Sequence, residues 1–331
     1  MRIVFFSSKP YDREYFTAAN GKHGHELIFL EPRLALETAV LAAEALAICA
    51  FVNDRLDAPV LKRLAEGGTR YILLRSAGYN HIDRSAAKTY GLKVAYVPRY
   101  SPHAVAEHTV ALILSLNRNI HRAYARVREG NFSIDGLLGF DLHGRTVGLV
   151  GLGRIGMLVG GIMRGFGCEV RAYDPVVSSL PESAGIKLAP FSEVMGRSDI
   201  ISLHCPLTEQ TRHLIGAATL EQCRRGVMLI NTSRGALIDT PAAIAALKSG
   251  QLGSLGIDVY EDEAELFYED YSSRIIKDDV LSRLISFPNV LITAHQGFFT
   301  REALTTIAET TLASATGFAA GGSVTDELVL R

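Results

Sequence analysis

Cysteine is scarce in this chain of 331 residues. The four that occur, Cys49, Cys168, Cys205 and Cys223, form no C-x-x-C pair. That spacing argues against a zinc site and against a disulfide framework, so no metal is expected, and the thiols are expected free and buried in a reducing cytosol. Charge of either sign is also lacking in excess. The net charge is −1 with histidines neutral, and no basic block stands out. Nucleic acid and anionic membrane surfaces are therefore not expected as partners. No uninterrupted apolar run has the length of a membrane span, because the longest apolar region, residues 34–52, is broken by Glu37 and Glu44. The opening MRIVFF has no signal-peptide layout and goes straight into a strand pattern, so a cytoplasmic location is expected.

What is present is ordinary material for a folded enzyme, 48% hydrophobic and 21% charged. The length exceeds that of one usual core and predicts two domains. Up to residue 100, short apolar runs (3–6, 27–30, 46–51, 71–74, 94–97) alternate with helical patterns (10–19, 34–45, 58–65, 84–90). This alternation predicts a parallel α/β domain. Ser101 and Pro102 then open a long apolar helix, with serine suited to the cap and proline to the first helical position. It reads as the connection crossing between domains. Residues 121–145 are more polar and glycine-rich. Further strands are expected at 200–203, 227–230, 254–259 and 290–293, with helices at 219–225 and 241–249 between them. Residues 261–285 read as a loop excursion with a short helix. The last helical pattern starts at Thr300 and is expected to return to the first domain. The expected domains are residues 1–100 with 300–331, and residues 101–299.

The chain is organised around residues 146–174. An apolar strand pattern, 146–150, is followed by Gly151, Gly153 and Gly156 at G-x-G-x-x-G spacing, a helical pattern from 155 to about 166, and a second strand, 169–173, ending on Asp174. Gly151 suits a tight turn, Gly153 lets a pyrophosphate approach the backbone, and Gly156 permits close helix–strand packing. The N–H groups that open the helix then face the anion. A carboxylate at Asp174 accepts hydrogen bonds from ribose hydroxyls and repels a 2′-phosphate, which favours NAD. Arg171 is a cation near that acid, but it lies inside the strand pattern.

Ligands of open parallel sheets bind beyond the C-terminal strand ends. Three such places carry reactive side chains. In NTSRGALID, Arg234 offers a planar fork for a carboxylate, although a surface arginine would look the same. In GIDVYEDEAE, Asp258 ends a strand and Glu261, Asp262, Glu263 and Glu265 follow. Spacing does not choose among them, and a solvated acidic face fits equally. In TAHQGF, His295 follows a strand and stands beside a glycine, a suitable place for an acid–base group. His204 in LHCP is its rival on the same argument.

Long ordered motifs tie these places to a family. SAGYNHID, VPRYSPHAVAEH, NRNIHRAY, NFSIDGLLGFDLHGRTVGLVGLGRIG, ISLHCPLT, NTSRGALID, GIDVYEDE and TAHQGFFTREAL resemble the D-isomer-specific 2-hydroxyacid dehydrogenases over nearly the whole chain. Within the family the chain looks like the fermentative NAD-dependent D-lactate dehydrogenases. The resemblance implies an α/β fold of two Rossmann-like, doubly wound parallel-sheet domains, with the active site in the cleft between them. It implies a catalytic set of Arg234, Glu263 and His295, in preference to the other acids and to His204. Implied cofactor contacts are Gly151, Gly153, Arg154, Ile155, Gly156, Asp174, His204, Cys205, Pro206, Thr232 and Asp258, the last on the nicotinamide carboxamide. Implied substrate contacts are Phe51, Val52, Ala77, Gly78, Tyr100 and Phe299, together with Arg234 and His295. The expected reaction is reduction of a short 2-oxo acid, pyruvate fitting best. Reduction of hydroxypyruvate, glyoxylate or a bulkier oxo acid, and an NAD-sensing binding role, are the alternatives. Formate dehydrogenases, relatives with glutamine where Glu263 stands, match less well. A homodimer or homotetramer is expected.

Overall fold

Alternating apolar runs and amphipathic stretches fold into two α/β units, one made of Met1–Ser101 and the chain from Phe299 onward, the other of Pro102–Phe298. A computed structural model describes residues 1–263 and 266–330, so Glu265 of the acidic run lies outside the described residues.

In the first unit, β1 (Arg2–Phe5), β2 (Glu26–Phe29), β3 (Ala47–Ala50), β4 (Tyr71–Leu74) and β5 (Lys93–Ala95) form one parallel sheet in the order β2-β1-β3-β4-β5. The helices α1 (Pro10–Asn20), α2 (Ala58–Glu66) and α3 (Arg84–Thr89) connect them. Asp57 and Asp83 cap α2 and α3 by accepting from the N–H groups of Val60 and Ala86, which satisfies donors that the first turn leaves unpaired. The sheet packs Val4, Ile48, Ile72 and Val94 against Val60, Leu61 and Leu64 of α2.

The helix expected over residues 34–45 is absent. Only a short 3-10 turn, Ala39–Ala42, forms there. Thr38 Oγ1 accepts from Ala35 N at 2.8 Å and donates to Arg33 O at 2.6 Å, an alternative to helical bonding. Leu34, Ala39, Ala42 and Ala45 still reach the core, while Leu36, Val40 and Leu41 stay exposed.

The second unit opens with α4 (Pro102–Asn117) and α5 (Ile120–Arg128), the latter not expected from the polar sequence. A seven-stranded parallel sheet follows in the order β12-β11-β10-β9-β6-β7-β8. Its strands are β6 (Thr146–Val150), β7 (Glu169–Tyr173), β8 (Ile186–Leu188), β9 (Ile200–Leu203), β10 (Val227–Asn231), β11 (Leu252–Ile257) and β12 (Val290–Ile292). The helices α6 (Arg154–Gly165), α7 (Phe191–Arg197), α8 (Ala217–Gln222), α9 (Thr240–Ser249) and α10 (Asp279–Ile285) cover it. The strand order reverses between β6 and β9, which is where such sheets bind dinucleotides. Successive residues of β10 serve opposite faces. Val227 and Leu229 join a core with Val194 and Leu247, while Met228 and Ile230 join another with Leu112 and Val159. Strand β8 and helix α7 were also not expected. β8 has three residues at the sheet edge and alternates Ile-Lys-Leu, too short a signal to read.

The chain returns to the first unit as α11 (Arg301–Ala319), capped by the Thr300 hydroxyl. Phe318 of this helix stacks on Tyr71 of β4 at 4.8 Å. Among the described residues, no helix is long and apolar enough to cross a membrane.

Candidate active site

The glycine turn divides its three tasks as the spacing suggested. Gly151 has φ +98°, and a Cβ there would stand 2.6 Å from the His204 carbonyl carbon. A Cβ on Gly156 would come within 2.3 Å of Gly151 O, so α6 rests directly on the turn. A Cβ on Gly153 would meet nothing within 4 Å, which leaves room for an anion at the open N–H groups of α6. Arg154 is exposed at the start of α6 and Ile155 is half-buried beside it.

Asp174 caps the turn from the end of β7. Its Oδ2 accepts from Leu152 N at 2.8 Å, and Oδ1 accepts from Val176 N and Val177 N at 2.8 and 3.1 Å. Partial burial raises its pKa, but the three N–H donors outweigh that and hold it below the usual carboxylate range. A fixed negative charge there fits a ribose diol and opposes a phosphate. Arg171 does not offset it, because its guanidinium is paired with Glu169 and Glu193. These features fit the dinucleotide that the spacing predicted.

His204 packs beneath the same turn, with Nε2 at 2.9 Å from Ser202 Oγ. Burial lowers its pKa to about 4. A ring kept neutral and pinned in this way is poorly suited to deliver a proton, which separates it from His295. Cys205 is buried and its thiol is pushed up to about 11. Its carbonyl accepts from Ser233 Oγ at 2.7 Å, while Pro206 O accepts from Thr211 Oγ1. The Thr232 hydroxyl pairs with Thr109 Oγ1 of α4 at 2.8 Å.

Arg234 follows β10 in a turn shaped by Asn231, whose Nδ2 donates to Arg234 O and whose Oδ1 accepts from Ser233 N. Gly235 is obligatory by space, since a Cβ would stand 2.0 Å from the Tyr260 carbonyl carbon. The half-buried Arg234 guanidinium donates to Ser233 O at 2.6 Å. Among the described residues no carboxylate pairs with it, so most of its donors remain for an anion.

His295 and Glu263 are brought together. His295 Nδ1 stands 2.7 Å from Glu263 Oε1, and Glu263 Oε2 accepts from Tyr260 N at 2.9 Å. A carboxylate only accepts, so Nδ1 carries the proton of this bond and Nε2 is the atom left for proton exchange. Ala294 and His295 both have positive φ, +50° and +57°, a left-handed pair that costs about 1–2 kcal/mol per residue. Asp258 holds this turn. Its carboxylate accepts from Gln296 N, Gly297 N and Thr293 Oγ1 at 2.7–2.8 Å, and its carbonyl accepts from His295 N. Burial opposes the Asp258 charge, and hydrogen bonds from His108 and Thr293 outweigh it, keeping the carboxyl below its ordinary range.

In the first unit, Phe51 and Val52 follow β3, and Ala77 and Gly78 follow β4. The N–H groups of Ala77 and Gly78 make no hydrogen bond among the described residues, while Ser76 Oγ donates to Gly78 O and sets the turn. Phe51 is buried beneath the Arg75 guanidinium, 4.8 Å from ring centre to Cζ. Tyr100 is half-buried. Phe299 is half exposed and packs edge-on against Tyr11 at 4.9 Å. Sequence reasoning overlooked Arg75, His108 and Asp54, whose carboxylate accepts from Phe51 N and Leu34 N, and it gave Asp258 no part in shaping the His295 turn. Asp258 was visible as a strand-end acid. Its hold on residues 293–297 is a contact distant in sequence.

A reversed-order parallel sheet with this glycine turn and fixed acid defines a dinucleotide-binding α/β protein. Residues 110–297 match the family model for the NAD-binding domain of D-isomer-specific 2-hydroxyacid dehydrogenases. The chain is 52% identical to 2-hydroxyacid dehydrogenase homolog 1 of Schizosaccharomyces pombe, over 96% of each. It is 47% identical to D-lactate dehydrogenase of Escherichia coli, over 99% of this chain and 100% of that one. An apo structure of the E. coli enzyme superposes with TM-score 0.91 at 45% identity, covering 99% of this chain and 100% of that chain. The pyruvate reductase of Chlamydomonas reinhardtii superposes with TM-score 0.93 at 41% identity, covering 98% of each. The chain belongs to the D-isomer-specific 2-hydroxyacid dehydrogenase family. It is an enzyme of that family, and its cofactor is NAD.

Proposed function

We propose that the protein reduces pyruvate to D-lactate. The observation that carries this reading is the Glu263–His295 pair at 2.7 Å, on the same sheet edge as an Arg234 with no carboxylate partner among the described residues. Similarity to a D-lactate dehydrogenase and to a pyruvate reductase supports the choice of substrate.

When bound at the glycine turn and Asp174, the reduced cofactor would supply the hydride for C2 of the oxo acid. Arg234 and the N–H groups of Ala77 and Gly78 hold the substrate carboxylate. Arg234 also polarises the C2 carbonyl and stabilises the charge that grows on its oxygen. His295 Nε2 gives its proton to that oxygen, forming the hydroxyl. Glu263 orients the imidazole so that Nε2 faces that oxygen. Phe51, Val52, Tyr100 and Phe299 supply apolar surface suited to a methyl group. On the cofactor side, Gly151, Gly153, Arg154, Ile155 and Gly156 take the pyrophosphate and Asp174 the ribose. His204, Cys205, Pro206, Thr232 and Asp258 flank the remainder. In this direction the reaction regenerates NAD, which suits fermentation.

The test is the initial rate of NADH oxidation with pyruvate, hydroxypyruvate, glyoxylate and phenylpyruvate, with the product assayed for chirality. Pyruvate as best substrate with D-lactate as product bears the proposal out. Preference for another oxo acid overturns the substrate and keeps the chemistry. NADH binding with no turnover of any of them favours an NAD-sensing role.

We also place the enzyme in the cytoplasm as a homodimer or homotetramer. The four described cysteines are free and buried, which suits a reducing compartment. Ile120, Tyr124, Val127, Phe132, Ile134 and Leu138 form an exposed apolar stretch on the second unit, suited to a second copy. A monomeric mass by light scattering would sink the oligomer.

A further inference from the structure

Three loops at the C-terminal edge of the second sheet meet around Glu261, whose carboxylate the reaction does not use. Glu261 belongs to the acidic run after β11, two residues before Glu263, and its side chain is 18% exposed. Both of its oxygens stand 3.0 Å from His213 Nε2, and Arg212 Nη2 donates to Oε1. Residues 212 and 213 lie in the loop that leaves β9 after His204. His213 has φ +51°, and in that strained conformation its N–H donates to Ala236 O at 2.8 Å. Ile215 N then donates to Leu237 O, and Asp239 N to Ile215 O. The loop after β9 is thus bonded to the turn after β10. That turn in turn presses on the acidic loop, since a Cβ on Gly235 would stand 2.3 Å from Glu261 N.

We propose that Glu261 is a positioning residue, which ties the Arg234 turn to the Glu263 loop through His213 and Arg212. The proposal rests on the roles given above to Arg234 and Glu263. A carboxylate shared by an imidazole and a guanidinium resists displacement better than one held by a single bond, because both partners must let go together. Glu263 itself is anchored by Tyr260 N of its own loop and by His295 of the turn after β12. Glu261 supplies the link to the loop after β9 that bears on Arg234. Loosening it shifts the guanidinium relative to the proton donor, and catalytic groups lose rate steeply with small displacements.

The test compares Glu261→Ala and Glu261→Gln with the wild-type enzyme. Glu261→Ala is expected to raise KM for the oxo acid about tenfold, with a smaller fall in kcat. Its NADH dissociation constant and melting temperature should stay near wild type. Glu261→Gln keeps an acceptor for His213 and Arg212, and should recover most of the loss. Unchanged oxo-acid KM in Glu261→Ala overturns the proposal. So does a loss of NADH affinity and melting temperature in proportion, which would make Glu261 merely structural. Amide hydrogen exchange of residues 232–238 and 259–263 reads the clamp without turnover. Faster exchange in both segments of Glu261→Ala supports it, and unchanged exchange overturns it. If wild-type enzyme reduces no 2-oxo acid, the substrate reading fails, and the exchange result still decides the clamp.

Discussion

Arg75 and Arg234 both follow a strand of a parallel sheet, and both stand close to a glycine turn. They come to opposite ends. Arg75 is 2% exposed, and all its nitrogens are engaged. Nε donates to Asp12 Oδ1 at 3.2 Å, Nη1 to Cys49 O, and Nη2 to Phe6 O and Ser7 O. Arg234 is half-buried and, among the described residues, donates only to the carbonyl of its neighbour Ser233. The difference comes from elsewhere in the chain. The first unit brings Asp12 from α1 beneath Arg75, whereas no described residue of the second unit brings a carboxylate to Arg234. A strand-end arginine keeps donors for a ligand only where the fold withholds a partner, and that is the contrast the proposed role of Arg234 rests on.

The largest expected effect tests the structural half of this contrast. Arg75→Met leaves Asp12 buried and unpaired, which costs about 3–5 kcal/mol. Thermal melting should show a steep fall or no folded protein, and a melting temperature within about two degrees of wild type would break the comparison. Arg234→Gln should do the reverse. Its kcat/KM for pyruvate should fall about 10²- to 10³-fold with melting unchanged, and loss of stability instead would make it a second Arg75.

His204 extends the comparison to a group of the second unit whose ring desolvation holds neutral. Its folded pKa, about 4, lies below the ordinary histidine value of 6.5, so the unfolded chain binds the proton more readily. The neutral ring therefore contributes stability above about pH 6.5 that is lost as pH falls toward 4, on the order of 3 kcal/mol in full. Urea unfolding between pH 7 and 4.5 should show this loss, and His204→Gln should flatten it. An identical pH dependence in the variant would remove His204 as the cause. The smallest effect is expected at Asp174, a charge fixed by three N–H donors. Asp174→Ala should relax selectivity for NAD over NADP about tenfold, and unchanged selectivity would move that role elsewhere.

The sheets were the most legible part of the chain. Strands β4, β6, β7 and β9 match their apolar runs residue for residue, because parallel strands buried on both faces read as continuous hydrophobic segments. The segment 34–45 misled because its alanines and leucines look helical while Thr38 offers the backbone a competing bond. Helix α5 escaped because its short apolar stripe, Ile120, Ala123, Tyr124 and Val127, is interleaved with His121, Arg122, Arg126 and Arg128 and packs into no core, so the segment read as polar. At the candidate site, residue type and strand-end position brought Arg234, the acidic run and two histidines into view. They did not separate Glu261 from Glu263 or His204 from His295. That separation lies in long-range partners: His213 for Glu261, His295 for Glu263, and the glycine turn that buries His204. The family resemblance made those choices from whole motifs, and local spacing did not.

The left-handed pair Ala294–His295, held from below by Asp258, limits which sequences this turn tolerates. A saturation library at position 294 should accept glycine, asparagine and aspartate, which enter that region at little cost, and reject valine and isoleucine. Substitution scores at this position would then follow backbone conformation rather than hydrophobicity. Ala294 is exposed, two residues past the end of β12, so burial places little demand on its side chain and the backbone conformation is left to decide.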